Sequence, residues 1–143
     1  MRHDLVLRVL AKAIIPFMLL FALYVQFHGD LGPGGGFQAG VIGAASVVLY
    51  AIIFGLPAAR RALPDWVVET MVAGGVFIYA GVGIVGLLLG GNYLDYFVLD
   101  HDPVHGQDRG IFWVEAGVAI TVSGVMLKVF YMFAGRKRGL EEE

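Results

Sequence analysis

The chain has no cysteine among its 143 residues. That excludes disulfides, thiolate metal sites and cysteine nucleophiles, and says nothing about compartment. Charge is scarce too. Only 15% of residues are Asp, Glu, Lys or Arg, where a soluble domain carries about a quarter. The charges cluster, and residues 31–59 form one run with none. A net charge of −2 with ten Lys and Arg in all leaves no basic surface for nucleic acid. Missing as well are Ser-His-Asp and Gly-x-Ser-x-Gly arrangements and any haem or flavin motif, so neither a cofactor nor covalent catalysis is expected of this chain.

What is abundant is apolar sequence: 58% of residues are hydrophobic and the mean hydropathy is +0.76. Four apolar segments lie at about 5–27, 37–56, 66–89 and 111–134. Each matches the ~20 residues that cross a hydrocarbon core of ~30 Å. The expected fold is therefore all-α: a polytopic membrane protein with four transmembrane helices in a single membrane domain, residues 1–143. A secretory signal peptide is the rival for the first segment. It would need a small-residue cleavage site, and Tyr24-Val25-Gln26-Phe27 offers none, so the segment reads as a retained span. Pro16 is expected to kink it. Asp65 is expected to cap the third helix, with Trp66 at the interface.

Basic residues predict the orientation. Arg2 and Arg8, then Arg60 and Arg61, then Arg136, Lys137 and Arg138 fall on the side of the two termini, and the other side holds Arg109 alone. Both termini are thus expected in the cytoplasm. The stretch 90–110 reads as a long outer loop, acidic at Asp95, Asp100, Asp102 and Asp108, with Tyr93, Tyr96 and Phe97 at the interface. His101 and His105 lie in it, but Pro103 and Gly106 break the spacing and no zinc-type signature is present, so no metal site is assigned.

The rest is organised around Asp30-Leu31-Gly32-Pro33-Gly34-Gly35-Gly36-Phe37-Gln38-Ala39-Gly40. Pro33 bars the first helix from continuing, and the glycines open backbone angles closed to other residues. Beyond it Gly36, Gly40, Gly43, Ala44, Val47 and Ala51 share a narrow helical stripe that another helix can approach closely. Two readings stay open: a tight turn with a packing face, or a set of free N–H groups at a helix N-terminus that receives an anion or partner. A nucleotide loop is excluded by the absence of the Lys-Ser/Thr pair.

Ionisable residues inside spans are the strongest functional pointers in such a chain. Lys12, Lys128 and Glu115 qualify as ion-path candidates, and Asp30, at the mouth of the glycine loop, joins them. The rival for the lysines is snorkelling to the headgroups, and for Glu115 an ordinary interfacial carboxylate. Glu69 reads as an interfacial residue. Gly117, Thr121, Gly124 and Lys128 share one arc of segment four, while Glu115 faces nearly the opposite way beside Ala119, Val122 and Met126. Glu115 and Lys128 also stand ~20 Å apart along the axis, so they cannot pair. Segment three carries Thr70, Gly74 and Gly81 on one side and Tyr79, Gly83 and Gly86 nearer the other. Helices that want protein on two sides suggest one component of a larger membrane assembly.

Gly29, Pro33-Gly34-Gly35-Gly36-Phe37 and Gly40, with Glu115-Ala116-Gly117-Val118 downstream, resemble the MnhB/MrpB family of the Mrp-type multisubunit cation/proton antiporters over nearly the whole chain. The resemblance implies an accessory cell-membrane component of a Na⁺/H⁺ antiporter. Its partners would be the large antiporter-like subunits and the small ones, with Na⁺ and H⁺ as the transported ions. Its part would be to pack against them and help line or seal an ion path. It further implies that Pro33 and Phe37 matter to antiport and that Glu115 borders a cation path. Asp30-Leu31-Gly32 and Ala39 depart from the family pattern. Phe37-Gln38 is also similar to the related component of membrane-bound hydrogenase and sulfur-reducing complexes. That parent complex stays open as an alternative, and a small homo-oligomeric channel or transporter as a second.

Overall fold

The structure, a computed structural model, describes residues 2–29 and 34–136. The expectations for Asp30 and Pro33, and for Lys137 and Arg138, lie outside the described residues. Those residues form five α-helices and one 3₁₀ turn, with no strand among them. The helices are α1 (Arg2–His28), α2 (Gly36–Phe54), α3 (Leu56–Ala62), α4 (Asp65–Leu88) and α5 (Pro103–Arg136), with the 3₁₀ turn at Tyr96–Leu99. Four of the helices are long and apolar enough to cross a membrane: Leu5–His28, Gly36–Phe54, Asp65–Leu88 and Val104–Arg136.

The spans stand in a row, α1 on α2, α2 on α5 and α5 on α4, with only slight contact between α1 and α5. Glycine sets how closely they meet. A β-carbon on Gly40 would stand 2.7 Å from the Ala119 carbonyl of α5, so the small-residue stripe of α2 lies backbone to backbone on α5. Ser123 fastens that crossing by donating to the Gly40 carbonyl at 2.9 Å. On its other side α5 meets α4, where a β-carbon on Gly117 would lie 2.8 Å from the Gly75 carbonyl. Such close approach supplies the packing that holds helices together in lipid, where the hydrophobic effect gives no bias.

Helix α5 thus packs on α2 along one face and on α4 along another, while Met126, on the Glu115 side, stays 47% exposed. In segment three Gly75 makes the crossing, while β-carbons at Gly74 and Gly81 would meet nothing within 4 Å among the described residues.

The ends of the helices follow from local chemistry. Gly55, at φ 92°, breaks α2 from the short basic helix α3. Arg60 on α3 donates to the Tyr131 carbonyl at 3.2 Å and lies over that ring. Tyr131 in turn donates its hydroxyl to the Leu63 carbonyl at 3.1 Å. Around these the core forms, from Ala44, Ala51, Ala59, Val68, Leu127 and Tyr131. Asp65 is the first helical residue of α4 and not its cap, a place held by Pro64. Its carboxylate lies 3.7 Å from Arg60 and favours the positive end of the helix. At the far end of α4, Gly90 adopts φ 88°. Gly91 N–H bonds the Gly86 carbonyl and Gly90 N–H that of Leu87, the two bonds of a Schellman stop.

The stretch read as one loop, 90–110, is only partly so. Helix α5 begins at Pro103, two turns earlier than expected, because Asp102 accepts from Val104 N–H at 3.0 Å and proline suits the first helical position. The 3₁₀ turn packs on this extension: Tyr96 covers Gly106 and Gly110, and Arg109 pairs with Asp100 at 2.9 Å. Burial, then the neighbouring Tyr79 and Tyr93, raises the Tyr96 phenol above its usual pKa.

Candidate functional site

Two features far apart in the sequence meet at one end of the bundle. Gly34 and Gly35 close over the end of α1, where Gly35 N–H donates to the Val25 carbonyl at 3.2 Å. Gly35 then takes φ 111° and ψ −179°, a conformation held almost only by glycine, and α2 starts at the next residue. The first N–H groups of a helix lack intrahelical partners. Helix α2 has no side-chain cap of its own and no acidic residue in its first turn.

The carboxylate of Glu115, carried by α5, lies at this helix start. A β-carbon on Gly29 would stand 2.6 Å from its Oε2, and one on Gly35 2.8 Å from its Oε1. Gly36 rests directly on the Glu115 backbone carbonyl, where any β-carbon would overlap it. Three glycines thus shape a cradle that only hydrogen side chains leave wide enough. The positive end of the α2 dipole favours a negative charge in that position. The loop is a turn with a packing face, and the carboxylate that lies beside its helix start is the protein's own.

The other candidates lie elsewhere. Lys128 pairs with Glu69 across α5 and α4, so Glu69 is a partner in an ion pair and not merely an interfacial residue. Lys12 stands over the Phe54 ring, 5.8 Å from its centre. Both lysines belong to the end opposite Glu115, and the structure does not bring them to it. Phe37 projects outward, 61% exposed. His105 joins Asp102 alone, Nδ1 to Oδ2 at 3.1 Å, and among the described residues no three metal-ligating groups stand together.

Gln26 is the residue that sequence reasoning missed. It is 9% exposed on α1, and neither its Nε2 nor its Oε1 has a hydrogen-bond partner among the described residues. The available signal was a lone amide late in an otherwise apolar span. It lines a lateral groove of about 560 Å³ between α1 and α5, floored by Ala39 and Gly43 of α2. Phe27 and Phe112 stack across that groove, ring centres 5.7 Å apart.

Known proteins match along most of the chain. Residues 6–133 match a family model described as a domain related to the MnhB subunit of Na⁺/H⁺ antiporter. The chain is 32% identical over 131 residues to the B component of the Na⁺/H⁺ antiporter of Alkalihalophilus pseudofirmus, covering 84% of this chain and 90% of that protein. It is 31% identical over 134 residues to the B component of the Na⁺/H⁺ antiporter of Bacillus subtilis, again over 84% and 90% of the two.

Proposed function

The chain belongs to the family of MnhB-related antiporter subunits, and from that premise we propose that it works as the MnhB component of an Mrp-type Na⁺/H⁺ antiporter, holding neighbouring subunits in place and bordering their ion route at Glu115. The family is one of transport-complex subunits, not of enzymes, and its four apolar helices make the chain a multi-pass protein of the cell membrane. Both termini face the cytoplasm in this reading. Arg60 and Arg61 lie at the same end of the bundle as Arg136, and Arg8 and Lys12 share it, which fits the positive-inside pattern. Glu115 and its cradle then lie toward the outer side.

One observation carries the functional part: a carboxylate inside a span, enclosed by glycine backbone at a helix start. Ionisable groups at such depth mark ion and proton routes, and a carboxylate held by helix charge can respond to a proton or a cation that competes for it. The large lateral surface supports the packing part. α1 exposes Leu5, Val9, Leu20 and Leu23, and α4 leaves Gly74 and Gly81 open. Lys12 and Lys128 are assigned no part in the route, each being engaged at the other end.

The test is Glu115→Gln in the complete complex, assayed as Na⁺-driven proton movement in everted vesicles. Transport should fall about tenfold, the equivalent of one charge-assisted hydrogen bond, with all subunits still co-purifying. Full transport would remove Glu115 from the route. Iron–sulfur or nickel subunits in the purified complex would instead place the chain in a redox-driven pump.

A further inference from the structure

The groove between α1 and α5 has a composition that one kind of occupant fits. Its walls and floor are small where a helix backbone would need to come close, at Ala22, Ala39, Gly43 and Ala119. Its polar demand reduces to Gln26, because the Ser123 hydroxyl in the same wall is already given to the Gly40 carbonyl. The Gln26 amide is closed to solvent, and both its donor and its acceptor lack partners among the described residues. An acyl chain would fill the apolar walls but offers nothing to hydrogen-bond. Phe27 and Phe112, whose rings stack at 5.7 Å, line the groove beside Gln26. A buried amide without partners is costly, and in native proteins such groups are rare.

We propose that this groove seats a transmembrane helix from a neighbouring component of the antiporter, which brings an amide or hydroxyl side chain to Gln26. The inference rests on the functional reading given under Proposed function and specifies where one neighbour docks. A group of that class both donates and accepts, which is what the two ends of the Gln26 amide require. Gln26 lines the groove, and turning its amide about the three side-chain bonds would present both ends to a group seated there. The occupant would lie along Phe112 and Ala116, on the wall of α5 that flanks Glu115, so the same contact would place a second polypeptide next to the cradle.

The absence of native cysteine and the exposed position of Leu23 on the groove rim make the site open to probing. A photoreactive benzoylphenylalanine is placed at Leu23, and as a control at Phe77 on α4, in membranes expressing the complete complex. Expected from Leu23 is an adduct with a transmembrane segment of a different co-purifying polypeptide, with Asn, Gln, Ser or Thr within one turn of the linked residue. Lipid adducts alone, an adduct with a second copy of this chain, or a segment without such a residue would overturn the proposal. Gln26→Leu should lower the adduct yield about five- to tenfold, the worth of one net hydrogen bond, and leave the thermal stability of the isolated chain unchanged or higher. An unchanged yield, or a destabilised isolated chain, would contradict it. If the unaltered chain co-purifies with no other antiporter component, the functional reading fails, and that outcome is separate from these.

Discussion

Replacing Gly35 by alanine tests the cradle through a single methyl group. Two costs can be worked from the geometry. Gly35 sits at φ 111° and ψ −179°, a region that costs a residue with a β-carbon about 1–3 kcal/mol. The new β-carbon would also stand 2.8 Å from Glu115 Oε1, displacing the carboxylate from the start of α2, where its charge is worth about 0.3–2 kcal/mol. Together Gly35→Ala should destabilise the closed loop by roughly 2–4 kcal/mol. At about 1.4 kcal/mol per factor of ten, amide exchange over residues 34–40 should quicken between about thirty- and a thousandfold, as read by hydrogen-exchange mass spectrometry on the complex. Gly43→Ala in the same helix, compared in the isolated chain, is the control. Its β-carbon would meet only the Ser123 hydroxyl at 3.4 Å, and alanine gains about 1 kcal/mol over glycine in a helix, so exchange should be unchanged or slower. A cycle with Glu115→Gln separates the two costs. The carboxylate part should vanish in that background while the backbone part remains. Equal exchange in Gly35→Ala and the parent protein would refute the cradle.

Three further outcomes are expected. Gly75→Leu should force α4 from α5, because any β-carbon there overlaps Thr121 and the Gly117 carbonyl; a loss of about 1–3 kcal/mol or more would appear as a lowered melting temperature of the isolated chain. Gly74→Leu and Gly81→Leu should leave that melting temperature unchanged or higher, since β-carbons there meet nothing, yet reduce co-purification with partner subunits. Glu69→Gln removes an exposed ion pair with Lys128 and should cost no more than about 1 kcal/mol, with antiport retained where Glu115→Gln loses it.

The four spans were legible because each is a long apolar run between charges or glycines, and length with hydropathy is sufficient to mark a crossing. The small-residue stripe of α2 was legible for a similar reason, since helical period alone puts Gly36, Gly40 and Ala44 on one face. Its partner was not. Nothing local says that the stripe rests on α5, or that Gly29 and Gly35 close around a carboxylate some eighty residues downstream. Periodicity grouped Thr70, Gly74 and Gly81 on one face but did not single out Gly75, one step of ~100° away, which makes the crossing to α5. The first two turns of α5 were hidden by polar composition, although Asp102-Pro103 is a start signal in its own right. The two-sided need of α5 is met in part by α2 and α4, while its wall along Phe112 and Ala116 lines an open groove.

That this polypeptide acts only within a larger assembly is tested most directly by reconstitution. Purified subunits would be returned to proteoliposomes as the complete complex, as the complex without this chain, and as this chain alone, and Na⁺-driven proton movement followed in each. Movement is expected from the complete complex and from neither of the others. Flux from the isolated chain, or undiminished flux from the complex that lacks it, would contradict the assignment.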